Sequence, residues 1–183
     1  AFTQRGDDVP AVDTIVSAGR FVREKGFDVL LRAMAHIDAR LVLAGDGPLR
    51  GALEALTADL GLGRRVIFPG RVTLAELQAL YAEANLTCVP SVWGEAFGYA
   101  VAEAMAARVP VVGFPTGAIP ELLAHDRGFV AASVTAEALA TSIRQALSDE
   151  ADRADRANRA AAFAREQLHV DVIGRGCEEL YGT

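Results

Sequence analysis

Cysteine is scarce: Cys88 and Cys177 are the two in 183 residues. They lie far apart and match no metal-ligand spacing, so two free buried thiols are the simplest reading. His36, His125 and His169 show no metal spacing either. There is no Asp-x-Asp pair, no Gly-x-Ser-x-Gly elbow and no evident Cys/His dyad, so the sequence offers no familiar metal-dependent or nucleophilic hydrolase signature. Basic residues are outnumbered, 18 Lys and Arg against 24 Asp and Glu, for a net charge of −6. A surface built to neutralise phosphodiester backbones is normally basic, so general nucleic-acid binding is disfavoured. No apolar run approaches the roughly 18 residues that span a bilayer, which fits a cytoplasmic protein.

What is present reads as one domain. A chain of this size buries about 70% of the surface its unfolded form exposes. Short apolar runs alternate with helical patterns. Strands are expected at 14–18, 41–44, 66–68, 86–89, 110–113 and 128–130. Helices are expected at 27–37, 49–60, 74–84, 96–106, 119–124, 134–148, 150–168 and 171–181. Pro48 suits a first helical turn, and Thr73 with Glu76 forms a partial capping box. Asp152/Arg156 and Asp155/Arg159 have i,i+4 spacing, and the segment around them reads as a solvated amphipathic helix. Residues 1–13 are polar without periodicity and read as a linker remnant; 14–183 form the domain. Unbroken apolar strands between helices indicate α/β architecture: a Rossmann-like, doubly wound parallel sheet of about six strands. Ligands bind such sheets at the carboxyl ends of the strands. Gly19-Arg20, Gly45-Asp46, Gly70-Arg71, 90–95 and 113–117 all fall there.

Two of those segments carry candidate chemistry. Glu95 precedes the helix expected at 96–106, and Glu103 lies eight residues later inside it. The first N–H groups of a helix lack internal partners and carry partial positive charge, which suits an anion. Gly98 allows close approach of a ligand. Glu-x7-Glu alone is a weak pattern: Glu95 could be a loop acid near a cap, and Glu103 a salt-bridged helix acid. The loop 19–26 offers Arg20 and Lys25, which suit phosphate oxygens. In isolation they could equally be solvated loop charges, and Arg23 reads as one. Trp93, beside Gly94, could line the site or pack beneath the loop.

With their flanking residues, Pro-Ser-Val-Trp-Gly-Glu-Ala-Phe-Gly-Tyr-Ala-Val-Ala-Glu-Ala-Met-Ala and Val-Pro-Val-Val-Gly-Phe-Pro-Thr-Gly, these motifs resemble the donor half of the retaining nucleotide-sugar glycosyltransferases of family 4. The resemblance covers residues 14–130 by motif. It implies one half of a two-domain GT-B architecture, with the N-terminal acceptor domain absent from this chain. It implies that Glu95 contacts donor-sugar hydroxyls and Glu103 the ribose. Phe97, Gly98 and Tyr99 would meet the diphosphate and sugar, and Arg20 and Lys25 would hold the phosphates and stabilise the leaving group. A backbone group of Val72 would read the base. It implies a nucleotide diphosphate sugar as donor substrate, no metal and no separate cofactor. Membrane contact would come only through the missing domain. A nucleotide-sugar epimerase on the same fold, a non-catalytic nucleotide-binding module and a plain interaction domain are the alternatives.

Three positions depart from the family pattern. Arg108 stands where Gly is usual before the Pro-Val strand, and would be strained if that position needs positive φ. Ala118 replaces a second Gly after Gly117. Tyr99 replaces a smaller aliphatic residue near the expected diphosphate. The helix at 171–181 is expected to pack against the absent partner domain.

Overall fold

The structure is a computed structural model that describes residues 12–94 and 96–168. Glu95, His169, Cys177, the helix expected at 171–181 and nearly all of the expected linker lie outside the described residues.

The elements alternate strictly through the first six strands: β1 (Thr14–Ala18), α1 (Phe27–Met34), β2 (Arg40–Ala44), α2 (Arg50–Asp59), β3 (Val66–Gly70), α3 (Leu74–Glu83), β4 (Leu86–Val89), α4 (Tyr99–Ala106), β5 (Val111–Gly113), α5 (Ile119–Leu123) and β6 (Phe129–Val130). Two helices follow, α6 (Ala136–Ser148) and α7 (Glu150–Gln167). All paired strands are parallel, in the order β3-β2-β1-β4-β5-β6. The chain winds outward from β1 to β3, then crosses back to β4 and winds the other way. The winding therefore reverses between β1 and β4, and a crevice at their carboxyl ends is where this architecture binds ligands.

Successive strand residues point to opposite faces, and each face needs its own cover. Ile15, Leu41, Leu43 and Val112 pack into one buried layer with residues of α1, α2 and α6. Val16, Val42 and Val111 pack into the other with residues of α3, α4, α5 and α7. That double cover explains why the strands read as unbroken apolar runs. Local signals set the helix starts. Thr73 accepts from the Glu76 N–H while Glu76 accepts from the Thr73 N–H at 2.7 Å, a complete capping box. Thr135 caps α6 and Asp149 caps α7.

Three expectations change. Helix α4 begins at Tyr99 rather than Ala96, because Gly98 sits at φ 79, a left-handed conformation that cannot continue a right-handed helix. Ala118 lies at φ −75 and ψ −9, so glycine is not required there. The α7 segment is not simply solvated. Arg153 is only 7% exposed, Arg156 bridges Asp152 and Asp126, and Arg159 donates to the Asp126 carbonyl rather than pairing with Asp155.

The strain expected at Arg108 is present: its φ is 58. The Val109 N–H bonds the Ala104 carbonyl and the Arg108 N–H bonds the Met105 carbonyl, at 2.9 and 3.0 Å. This is a Schellman ending of α4, with Arg at the position where glycine is preferred. Arg108 precedes β5 and so lies at the amino edge of the sheet, opposite the carboxyl-end loops.

Candidate functional site

Hydrogen bonds, all but one of them between backbone groups, tie the carboxyl ends of five strands into a belt. The Gly45 N–H donates to the Gly70 carbonyl at 2.8 Å, and the Gly19 N–H to the Ala44 carbonyl at 3.0 Å. The Val92 N–H donates to the Glu24 carbonyl at 2.9 Å, joining the loops after β1 and β4 across the reversal point. The Thr116 hydroxyl donates to the Ser91 carbonyl at 2.7 Å, joining the loops after β4 and β5. Glycine makes two of these approaches possible. A β-carbon on Gly45 would lie 1.9 Å from the Gly19 oxygen, and one on Gly26 would lie 2.1 Å from the Pro90 oxygen.

The belt positions the expected residues as follows. Arg20 is exposed and, among the described residues, takes part in no ion pair. Its neighbour Phe21 is fully buried, edge-on to Phe27 at 5.4 Å and to Phe68 at 6.2 Å. The Phe21 N–H donates to the Asp46 carbonyl and its own carbonyl accepts from Leu49. Arg20 therefore projects from a backbone held rigidly on both sides. Lys25 ends a short 3-10 turn, Arg23–Lys25, and is half-buried, with its stem 4.0 Å from the β-carbon position of Gly19. Arg23 is exposed, as expected of a solvated charge.

On the other side of the reversal, Gly98 caps α4. Its carbonyl accepts from Val101 and Ala102, so the Tyr99 and Ala100 N–H groups at the helix start have no backbone partner among the described residues. Phe97 sits one residue before the cap, with its ring 4.7 Å from that of Tyr99. Ala100 was not legible as a donor, because its part depends on where the helix begins. Tyr99 and Trp93 are 71% and 73% exposed, so Trp93 does not pack beneath its loop. Tyr99 therefore turns its bulk outward. Glu103 is exposed on α4 and makes no ion pair among the described residues, which removes the core-facing salt bridge. Tyr81 of α3 lies beside it. Burial, together with the nearby Glu103 charge, pushes the Tyr81 phenol up to about 12.

Val72 follows β3 and is half-buried; among the described residues neither of its backbone groups enters a backbone hydrogen bond. The edge thus carries cationic side chains and, among the described residues, helix-start donors without a backbone partner, a carboxylate without an ion pair and a peptide unit outside the backbone hydrogen bonds. That set can hold a diphosphate and hydroxyl groups. Among the described residues no group of three His, Cys, Asp or Glu side chains could hold a metal, and no helix is long and apolar enough to cross a membrane. Cys88 is buried in β4, and burial pushes its thiol far up, so it is an inert packing group.

Known proteins share this fold. The family model described as "Glycosyl transferases group 1" matches residues 10–166. An uncharacterised glycosyltransferase of Methanocaldococcus jannaschii is 34% identical over 91% of this chain and 44% of its own length. Sucrose-phosphate synthase from Thermosynechococcus elongatus superposes with a TM-score of 0.85 at 31% identity, over 94% of this chain and 46% of that one. The HepE protein of Anabaena, solved in complex with UDP-glucose, gives 0.85 at 27% identity, over 93% of this chain and 49% of that one. The chain spans less than half the length of these relatives. It corresponds to the C-terminal-like domain of GT-B glycosyltransferases, and it belongs to the glycosyl transferases group 1 family.

Proposed function

We propose that this chain is the donor-binding domain of a retaining, family 4 glycosyltransferase that moves a sugar from a nucleotide diphosphate sugar to a glycan, lipid or small-molecule acceptor. The observation that carries the reading is topological: Arg20, Lys25, Val72 and the start of α4 all follow the carboxyl ends of their strands, and the Val92–Glu24 bond joins the loops after β1 and β4 at the reversal point. The HepE complex with UDP-glucose supports a nucleotide sugar as the ligand.

In this reading Val72 reads the base through its peptide unit and Glu103 takes the ribose hydroxyls. Arg20 and Lys25 hold the diphosphate, together with the N–H groups of Gly98, Tyr99 and Ala100. Phe97 flanks them, and Glu95 positions the donor sugar. As the bond to the sugar breaks, negative charge grows on the departing diphosphate. Fixed cations and helix-start dipoles stabilise that charge without reorganising, so no metal is needed. The acceptor then attacks the same face of the sugar from which the diphosphate leaves, and the anomeric configuration is retained. Residues 14–183 form the donor domain, and the acceptor side belongs to an N-terminal domain of a longer, cytoplasmic protein. Membrane contact, where it occurs, runs through that domain. Alone, this chain binds nucleotide but transfers poorly, because donor and acceptor are no longer held together.

The test is the anomeric configuration of the product made by the longer protein with chelator present. Retained configuration at undiminished rate is expected. Inversion, or loss of turnover on chelation, would contradict the mechanism. A covalent sugar trapped on Glu95 would replace same-face attack with double displacement.

A further inference from the structure

At the amino edge of the sheet, opposite the donor loops, a cavity of about 270 Å³ opens between the β4 and β5 approaches and α7. Asn85, Arg108, Pro110, Glu150, Arg153 and Asn158 are among its lining residues. Two features of these arginines are unusual. Arg153 is 93% buried by its 7% exposure, yet it takes part in no ion pair among the described residues. Its Nη1 donates to the Ala146 and Leu147 carbonyls at the end of α6, at 3.0 and 3.2 Å. Its Nε and Nη2 make no hydrogen bond among the described residues and are not among the buried, unsatisfied atoms, so they reach solvent. The helix-end carbonyls orient the guanidinium, and its remaining N–H groups stay available to an acceptor.

The second feature is Arg108, held at φ 58. The α4 carbonyls that its guanidinium might have capped are already bonded by the backbone N–H groups of Arg108 and Val109. Its charge is therefore not needed to end the helix, and glycine would end it with less strain. Backbone strain of this kind persists where the side chain has another use.

We propose that this cavity binds a small phosphate-bearing polyol, with Arg108 and Arg153 on the phosphate. The planar guanidinium presents paired donors that match phosphate oxygens. Asn85 accepts from the Thr14 N–H through Oδ1, which leaves its amide NH2 to meet a ligand hydroxyl. Asn158 can do the same, and the Glu150 carboxylate, exposed and at the polar rim, can accept from hydroxyls. Pro110 supplies an apolar floor. The site is separate from the donor edge, and its existence does not depend on the donor reading.

The experiment is a residue-resolved NMR titration of the isotopically labelled 183-residue chain with inorganic phosphate, glycerol 3-phosphate and glycerol. Arg108→Gly is the matched variant, since it removes the guanidinium and suits the backbone. Saturable shifts are expected at the Asn85, Arg108 and Ala154 amides, with glycerol 3-phosphate binding more tightly than phosphate and glycerol not at all. In Arg108→Gly the affinity for both anions should fall about ten- to a hundredfold, the range for a lost charged hydrogen bond. Shifts confined to residues 98–101, no saturation at the cavity amides, or equal binding in the variant would overturn the site. Equal affinity for phosphate and glycerol 3-phosphate would overturn the polyol assignment.

Discussion

At the scale of the residue, side chains that break a local rule are the most informative. Arg108 occupies a left-handed position at φ 58 in a Schellman ending, where a β-carbon is unfavourable. Replacing it with glycine removes that strain but gives the unfolded chain more freedom. The net expectation for Arg108→Gly is a gain of about 1 kcal/mol, within the range for a relieved left-handed residue. Urea unfolding measures it, and a loss of stability would show that the Arg108 side chain contributes more to the fold than its conformation costs. The strained position was legible through the family resemblance, in which Gly is usual where Arg108 stands before the Pro-Val strand. The burial of Arg153 was not legible. Its neighbours are Asp, Arg and Ala, and their pattern reads as a solvated face. Its burial follows from α7 lying across the end of α6, a tertiary arrangement that local periodicity does not carry.

At the scale of the element, the loops matter more than the strands they follow. The turn at Gly26 brings the loop after β1 against the loop after β4, at φ 62 and with no room for a side chain. Gly51 lies inside α2 with nothing within 4 Å of its β-carbon position. The two glycines should therefore respond oppositely to alanine. Gly26→Ala should destabilise by at least about 2 kcal/mol, since the backbone and the Pro90 carbonyl must both yield. Gly51→Ala should stabilise by about 0.4–1 kcal/mol, the gain from replacing a glycine whose conformation alanine can adopt. Parallel thermal unfolding of both variants checks this; similar effects would mean that the two loops are not locked together at Gly26. Most elements were readable from sequence, since each parallel strand is a short apolar run and Thr73 announces its helix. The start of α4 was misplaced by three residues, from Ala96 to Tyr99. The apolar pattern runs through Phe97 without interruption, and the left-handed turn at Gly98 leaves no trace in periodicity. That shift decides which N–H groups stand at the helix start, so the finest detail of the candidate site was the least legible.

At the scale of the whole molecule, the doubly wound sheet separates two edges with different side chains. Its carboxyl edge gathers Arg20, Lys25, Val72 and the start of α4, and its amino edge holds the cavity between Arg108 and Arg153. Tyr81 of α3 couples its layer of helices to pH. Burial, and secondarily the Glu103 charge, raise the Tyr81 phenol to about 12, above the value near 10 of an unfolded chain. The folded state then holds this proton more tightly, so its contribution is intact below about pH 10 and is lost as pH rises towards 12. That loss is on the order of 2 kcal/mol. Tyr81→Phe should flatten stability against pH over that window, and an unchanged slope would show that the phenol is not buried beside Glu103 in solution. The measurement that bears most directly on the donor site is calorimetric titration of this chain with UDP, GDP and ADP. Saturable binding of one nucleotide is expected, lost in Glu103→Ala and weakened by about 1.5–3 kcal/mol in Arg20→Ala, the range for hydrogen bonds to a charged group. Binding indifferent to both substitutions, or none by any of the three nucleotides, would contradict a donor site on the carboxyl edge of this sheet.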